Sequence, residues 1–218
     1  MTSSAPTART RVIREPQRAV YDRDLINAIL DEGFVCHIGF VVDGQPYAIP
    51  TSYGRVGDNL YVHGSAASRM LKQLGATVPI CVTVTLVDGL AIARSVFNHS
   101  MNYRSVVILG AAVLIDQPDE KLVALRSLSE RLVPGRWEQS RPPNDQELKA
   151  TSILRVPLTE CSAKVRTGPP EDNPEDLALD VWAGVIPLNL VPGGPIPDPQ
   201  LRPGIAVPDN VTNWRPKR

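Results

Sequence analysis

LYVHGSAASRML, residues 60–71, changes its period halfway along. Leu60 and Val62 alternate with Tyr61 and His63 in the two-residue period of a strand, and Gly64 breaks the run. Ser65 is a good helix N-cap. Met70, Leu71 and Leu74 then share one helical face, and Gly75 stands where such a helix ends. The spacing predicts a strand that delivers the chain into a helix N-terminus. Its first turn offers free backbone N–H groups, the Ser65 and Ser68 hydroxyls and the Arg69 guanidinium, with His63 and Gly64 just before them. Donors, dipole and cation converge there, which suits a phosphate dianion. The same residues equally describe a capped surface helix with a solvated arginine, so the neighbouring segments carry the decision.

Upstream, residues 1–20 are polar and arginine-rich, and read as a loose arm. Asp22 caps a predicted helix whose apolar face is Leu25, Ile26, Ile29 and Leu30, with Gly33 at its end. Residues 34–42 form an apolar run, Asp43-Gly44 is a hairpin signal, and residues 45–55 return as a second strand. Gly57, Asp58 and Asn59 turn the chain into residues 60–63. Downstream, residues 78–86 are β-branched and nearly continuous, as in a strand buried on both faces. Asp88-Gly89 is expected to turn the chain into residues 90–96, and residues 102–115 make another long strand with a bend at Gly110. Asp116 caps a second predicted helix with Pro118 in its first turn; it presents Leu122, Leu125 and Leu128 as its apolar face and stops near Val133-Pro134-Gly135. One helical turn at 145–150, strands at 152–158 and 162–167, and a short apolar element at 181–188 follow. From Val191 prolines crowd an extended tail.

This order predicts an α+β, mainly β, architecture: a six-stranded antiparallel barrel, closed or partly closed, with peripheral helices. The expected divisions are an arm at 1–20, a domain at 21–190 and a tail at 191–218. Of the 218 residues 43% are hydrophobic, enough for a real core, and 23 basic residues balance 23 acidic ones. That balance points away from nucleic acid, and the lack of a long apolar run points away from a membrane span. Cys36, Cys81 and Cys161 sit far apart in strand-like runs, as reduced core residues of a cytoplasmic protein do. His37, His63 and His99 have no ligand-spaced partners, so no metal site is expected.

The phrases CHIGFVVDGQPYAIPTSYGR, LYVHGSAASRML, HSMNYRSVVILG and SAKVRTGPPED, in this order, resemble the FMN-binding split β-barrel. Within it, the chain is most similar to the pyridoxamine 5′-phosphate oxidase-like group that includes nitroimidazole-resistance-type flavoproteins. The resemblance covers residues 15–190 and implies a homodimer with FMN at its interface. It implies that Ser65, Ser68 and Arg69 hold the phosphate, with His63 and Gly64 near the ribityl chain. It places Pro50, Thr51, Ser52 and Tyr53 along the isoalloxazine ring. Arg104 and Ser105 fall where the oxidases carry an arginine and a flavin-contacting glutamine, and Trp182 matches a late tryptophan that approaches the flavin from the partner subunit. True oxidases of this kind follow that tryptophan with Arg-x-His. Here residues 183–188 read AGVIPL, so pyridoxamine phosphate is not the expected substrate.

The reading is thus a flavin-dependent oxidoreductase or reductase acting on a small organic molecule. The alternative is a non-catalytic flavin- or haem-binding protein on the same barrel, with His37, His63 and His99 as the available axial ligands; a deazaflavin fits similar barrels too. Arg94-Ser95 follows an apolar strand, and an inward Arg94 needs an anion: the FMN phosphate, an acidic substrate or a structural carboxylate. Lys164 and Arg166 share a strand face. Trp137 and Trp214 are expected to act as packing anchors of the second helix and of the tail.

Overall fold

Helix α1 (Arg23–Glu32) begins where Asp22 accepts a hydrogen bond from the Leu25 amide at 2.9 Å. Ile26, Ile29 and Leu30 are fully buried, while Leu25 stays partly exposed at the margin of that face. Gly33 ends the helix by donating to Ile29 O, but in an extended conformation (φ −68°) and not a left-handed one. The chain runs straight on into a strand, so no reversal needs glycine's freedom. The computed structural model describes residues 6–65 and 78–217, and within them the chain is mainly β, with eleven strands, antiparallel pairings and five helices. The predicted helix after Ser65, with Ser68, Arg69, Met70, Leu71, Leu74 and Gly75, lies outside the described residues.

The chain divides into two compact units. The first comprises Met1–Gly33, Val82–Leu109 and Glu160–Asn189. Its strands are β1 (Ala19–Val20), most of β6 (Pro79–Ile92), most of β7 (Ser100–Ala111), β10 (Glu160–Arg166) and β11 (Gly184–Pro187). They pair in the order β1-β10-β7-β6, with β11 also on β6. The arm lies along β10: Thr7 Oγ1 donates to Glu160 at 2.9 Å, and Lys164 Nζ donates to Arg14 O at 2.9 Å.

The expected turn at Asp88-Gly89 is absent, because β6 runs through it as one strand of 14 residues. Gly89 instead admits β11: a Cβ there would lie 3.0 Å from Ile186 O and 3.0 Å from Val185 Cγ1. β6 also alternates where burial on both faces was expected. Ile80, Val82 and Val84 are buried, and Thr85 faces water.

The second unit comprises Phe34–Cys81, Gly110–Thr159 and Leu190–Arg218. β2 (Val35–Val42) and β3 (Gln45–Ser52) form the expected hairpin, with Asp43 at φ 50° and Gly44 at φ 79°, the positive angles of a type I′ turn. The strand expected over 45–55 breaks at buried Tyr53, and β4 (Gly54–Val56) pairs with β5 (Asn59–Ser65) instead of with β2. β5 continues into β9 (Thr151–Pro157) and then β8 (Val113–Ile115), which is separated from β7 at Ala112. The order β4-β5-β9-β8 does not return on itself, so this pairing does not close a barrel. Leu60, Val62, Leu154 and Val156 fill one buried face, and Ile153 clusters with Tyr61, Ile115 and Ala124 on the other.

α2 (Pro118–Leu132) starts with Gln117, not Asp116, at the cap, and Pro118 sits at the first position, where its missing N–H costs nothing. It buries Ala124, Leu128 and Arg131. The Arg131 guanidinium lies 4.8 Å over the Phe34 ring, whose other neighbour is Trp214 at 5.7 Å. Trp214 Nε1 donates to Leu132 O at 2.7 Å, which anchors the tail as its sequence suggested. The short helices are α3 (Arg136–Gln139), α4 (Asp145–Ala150) and α5 (Asp209–Thr212). Trp137 is half-buried and donates its amide to Glu130, joining α3 to α2.

α4 is held by a capping box between Asn144 and Glu147, and Arg141 grips the same carboxylate at 2.6 and 2.9 Å. The Arg141 hydrogen bonds, then the Asn144 amide, draw the Glu147 carboxyl from 4.5 to about 2. Its folded pKa lies below the unfolded value, so its stabilisation is complete above pH 4.5 and is lost as the pH falls through about 2. Amide exchange in α4 is expected to accelerate over that window, in step with the Glu147 carboxyl shift by NMR. Exchange that stays constant down to pH 2 would contradict the cap's role.

Candidate functional site

In the first unit, β6 ends at Ile92, and the chain bends through Arg94 and Ser95 into a single turn, Val96–Asn98. Ser95 caps that turn by accepting from the Phe97 amide at 3.3 Å. His99 closes it: its Nδ1 accepts from the Ala93 amide at 3.2 Å. Turn residues spend their backbone donors on one another, which leaves the Val96 and Phe97 side chains in water; Phe97 is 89% exposed. β11 reaches the same end of β6, since Gly184 pairs with Ile92. Trp182, two residues earlier, covers Gly184 so closely that a Cβ there would lie 2.9 Å from Cζ2. Its other face is open, with 65% of the residue exposed. Two aromatic side chains thus flank one strand end, a surface suited to a flat apolar ring.

The arginines beside it are committed elsewhere. Arg94 has Asp172 as its anion: Nη1 to Oδ2 is 2.9 Å and the Arg94 amide to Oδ1 is 2.8 Å. Burial alone would push the Asp172 carboxyl up, but the hydrogen bonds from Arg94 and the Ser95 amide outweigh it and hold that carboxyl below the usual range. Arg94 Nε is buried with no hydrogen-bond partner. Of the three anions its sequence allowed, the structural carboxylate is the one present.

Arg104 is shared between Asp88, at 2.7 and 2.9 Å, and Glu32, in a two-point pair whose Nη2–Oε1 arm is 2.8 Å. Asp88, then Glu32, keep the guanidinium charged far above its ordinary range. Ser105 Oγ donates to Lys164 O at 3.4 Å. Arg166 is buried and donates to Asn102 and Pro169 O, while Lys164 faces the arm. Both guanidinium groups, of Arg104 and Arg166, are thus hydrogen-bonded within the first unit. Arg104→Met would strand two carboxylates against each other and is expected to cost about 2 kcal/mol, below the buried-pair range because all three groups are partly hydrated. Urea unfolding checks this, and adding Asp88→Asn should recover part of the loss.

In the second unit, Pro50, Thr51 and Ser52 lie on β3, which pairs in register with β2; His37 faces Pro50 across the ladder. Pro50 is exposed and Tyr53 buried. His63 and Gly64 end β5, with Ser65 as its last residue. His63 is exposed at its surface, yet loss of neighbouring water lowers its pKa below the ordinary imidazole value. Ser68 and Arg69 lie outside the described residues. Pro50–Tyr53 and His63–Ser65 therefore belong to one unit, and Arg94, Ser95, Arg104, Ser105 and Trp182 to the other.

Asp172, Asp88, Glu32 and Phe97 were missed in the sequence. Only folding brings Asp172 to Arg94, across 78 residues, and no local spacing signals such a pair. Among the described residues no three His, Cys, Asp or Glu side chains gather as a metal site, and no helix is long and apolar enough to cross a membrane.

A family model for pyridoxamine 5′-phosphate oxidase matches residues 22–165. The chain is similar to the flavocytochrome Anf3 from Azotobacter vinelandii, with 43% identity, TM-score 0.91, and coverage of 97% of this chain and 98% of that one. It is also similar to the FAD and haem binding protein from Mycobacterium smegmatis: 36% identity, TM-score 0.85, 89% and 95% coverage. A candidate 5-nitroimidazole antibiotic resistance protein from Bacteroides thetaiotaomicron VPI-5482 shares the fold at 22% identity and TM-score 0.56, over 67% of this chain and 86% of that one. No curated protein matches significantly.

Proposed function

The chain belongs to the pyridoxamine 5′-phosphate oxidase family, and from that membership we propose that it is a flavin-binding redox protein carrying a haem as a second cofactor. The observation that carries this reading is the likeness over almost its whole length to a flavocytochrome. When bound, the flavin supplies two-electron and the haem one-electron chemistry. The chain's own contribution is binding, orientation and electrostatics. In the first unit Trp182 and Phe97 offer exposed aromatic faces to a flat ring, and Ser65, Ser68 and Arg69 are the residues assigned to a flavin's phosphate end. Pro50, Thr51 and Ser52 on β3, with Tyr53 just beyond its end, are assigned to the ring. Arg94 and Arg104, paired with Asp172 and with Asp88 and Glu32, add to the electrostatics beside that strand end.

The phosphate argument serves FMN, the flavin inferred from the sequence, and FAD alike. The FAD and haem binding relative favours the dinucleotide. For the haem, a neutral imidazole is required. His63, with its lowered pKa, meets that need. At His99 the Nδ1 lone pair is already taken by the Ala93 amide, which favours His63 as the ligand. Residues 183–188 carry neither the arginine nor the histidine of the oxidases, which supports a small organic substrate other than pyridoxamine phosphate.

A cytoplasmic homodimer with the flavin at its interface belongs to the same reading. The exposed Leu177, Leu179, Val181 and Ile186 support the dimer, and three free cysteines support the compartment. So do the divisions at 1–20, 21–190 and 191–218 and the split barrel itself. The test is the absorbance of the purified protein, with extracted cofactors identified by mass. Flavin bands plus a Soret band are expected, and His63→Ala should remove the Soret band alone. A colourless protein that takes up neither flavin nor haem on titration would end this reading.

A further inference from the structure

Where the tail passes the end of α2, it borders an open cavity of about 330 Å³. Every lining residue is apolar except Arg136. Ile196, Leu201, Ile205 and Val207 line it while remaining open to water, Ile196 to 93%. The cavity is held open by anchors around it. Asn210 Nδ2 donates to Pro134 O at 2.8 Å, and Trp214 is pinned to Leu132 O and to the Phe34 ring. The Arg136 guanidinium donates to neutral Gln139 at 3.4 Å, and no ion pair joins it to a carboxylate among the described residues.

We propose that this cavity binds an amphipathic monoanion, a single alkyl chain ending in a carboxylate. The chain would lie among Ile196, Leu201, Ile205 and Val207, with the carboxylate on Arg136. Charge complementarity selects that occupant: an uncharged chain forgoes a charge-assisted bond to the exposed Arg136, and a polar anion leaves the apolar wall wet. The volume holds on the order of ten methylene-sized groups. The whole site lies in the unit that contains α2 and the tail, and it does not depend on either cofactor.

The test is calorimetric titration of the full chain with octanoate, decanoate, hexadecanoate and decanol below their micellar concentrations. Affinity is expected to rise about fourfold per added methylene, and to level off near ten carbons once the cavity is full. Arg136→Gln, an exposed change that leaves the core untouched, should weaken decanoate about tenfold and leave decanol unchanged. Equal binding of decanoate and decanol to the unaltered protein would overturn the proposal. So would a rise in affinity that continues through hexadecanoate. No saturable binding, combined with dissociation of a dimer by Ile205→Glu, would overturn it in favour of a second copy of the chain.

Discussion

Gly54→Ala is expected to destabilise the protein by about 3 kcal/mol, the upper end of what overpacking costs. β4 lies directly against α2, and a Cβ at residue 54 would collide with the Ser127 hydroxyl and come 2.9 Å from the Leu128 amide nitrogen. Ser127 is itself bonded to Ala124 O at 2.7 Å, and Leu128 N belongs to helical backbone, so neither can yield as a flexible side chain would. Room comes only by moving a strand away from the helix that covers it, which opens the packing of a filled interior. The measurement is urea unfolding at constant m. Gly110→Ala is the control: nothing lies within 4 Å of its Cβ, and it is expected to fall within about 0.5 kcal/mol of the parent. Removing the hydroxyl with Ser127→Ala should relieve Gly54→Ala only in part, since the backbone contact remains. Equal stability of the two glycine variants would show that β4 and α2 are not packed this closely.

Ser68→Ala combined with Arg69→Ala is expected to weaken flavin binding by about 3 kcal/mol, a factor on the order of a hundred. Charge-assisted hydrogen bonds to a phosphate are the strongest polar contacts such a site makes, and Arg69 with the neighbouring serine provides them in the proposed reading. Arg94 and Arg104, two other arginines placed at the site by the sequence, are already neutralised by Asp172 and by Asp88 with Glu32. The measurement is flavin titration of the apoprotein, with thermal unfolding to establish that the variant is folded. An unaltered affinity would move the phosphate elsewhere and leave the redox reading to Trp182 and Phe97 alone.

Local signals survived folding well. Asp22, with Ile26, Ile29 and Leu30 behind it, marks α1 almost to the residue. Asp43-Gly44 marks the hairpin, because few other dipeptides accept two positive φ angles. Asp88-Gly89 carries the same letters and does not turn. Glycine there serves the close approach of β11, a strand about a hundred residues away in sequence, and nothing local distinguishes the two uses. The break at Tyr53 has the same origin, since β4 is drawn to β5 and α2 by partners that no pattern within residues 45–55 contains.

By itself the sequence determined the mainly β character, the helix caps, the hairpin and the resemblance to a flavoprotein family, for these follow from period, backbone preference and short-range order. The tertiary structure alone decided which charges are spent. Arg94 is matched by Asp172, Arg104 by Asp88 and Glu32, and Trp182 is laid over Gly184. The physical reason is range: dihedral preference and amphipathic period act over a few residues, whereas an ion pair or a packed ring exists only once distant segments are brought to within a few ångströms.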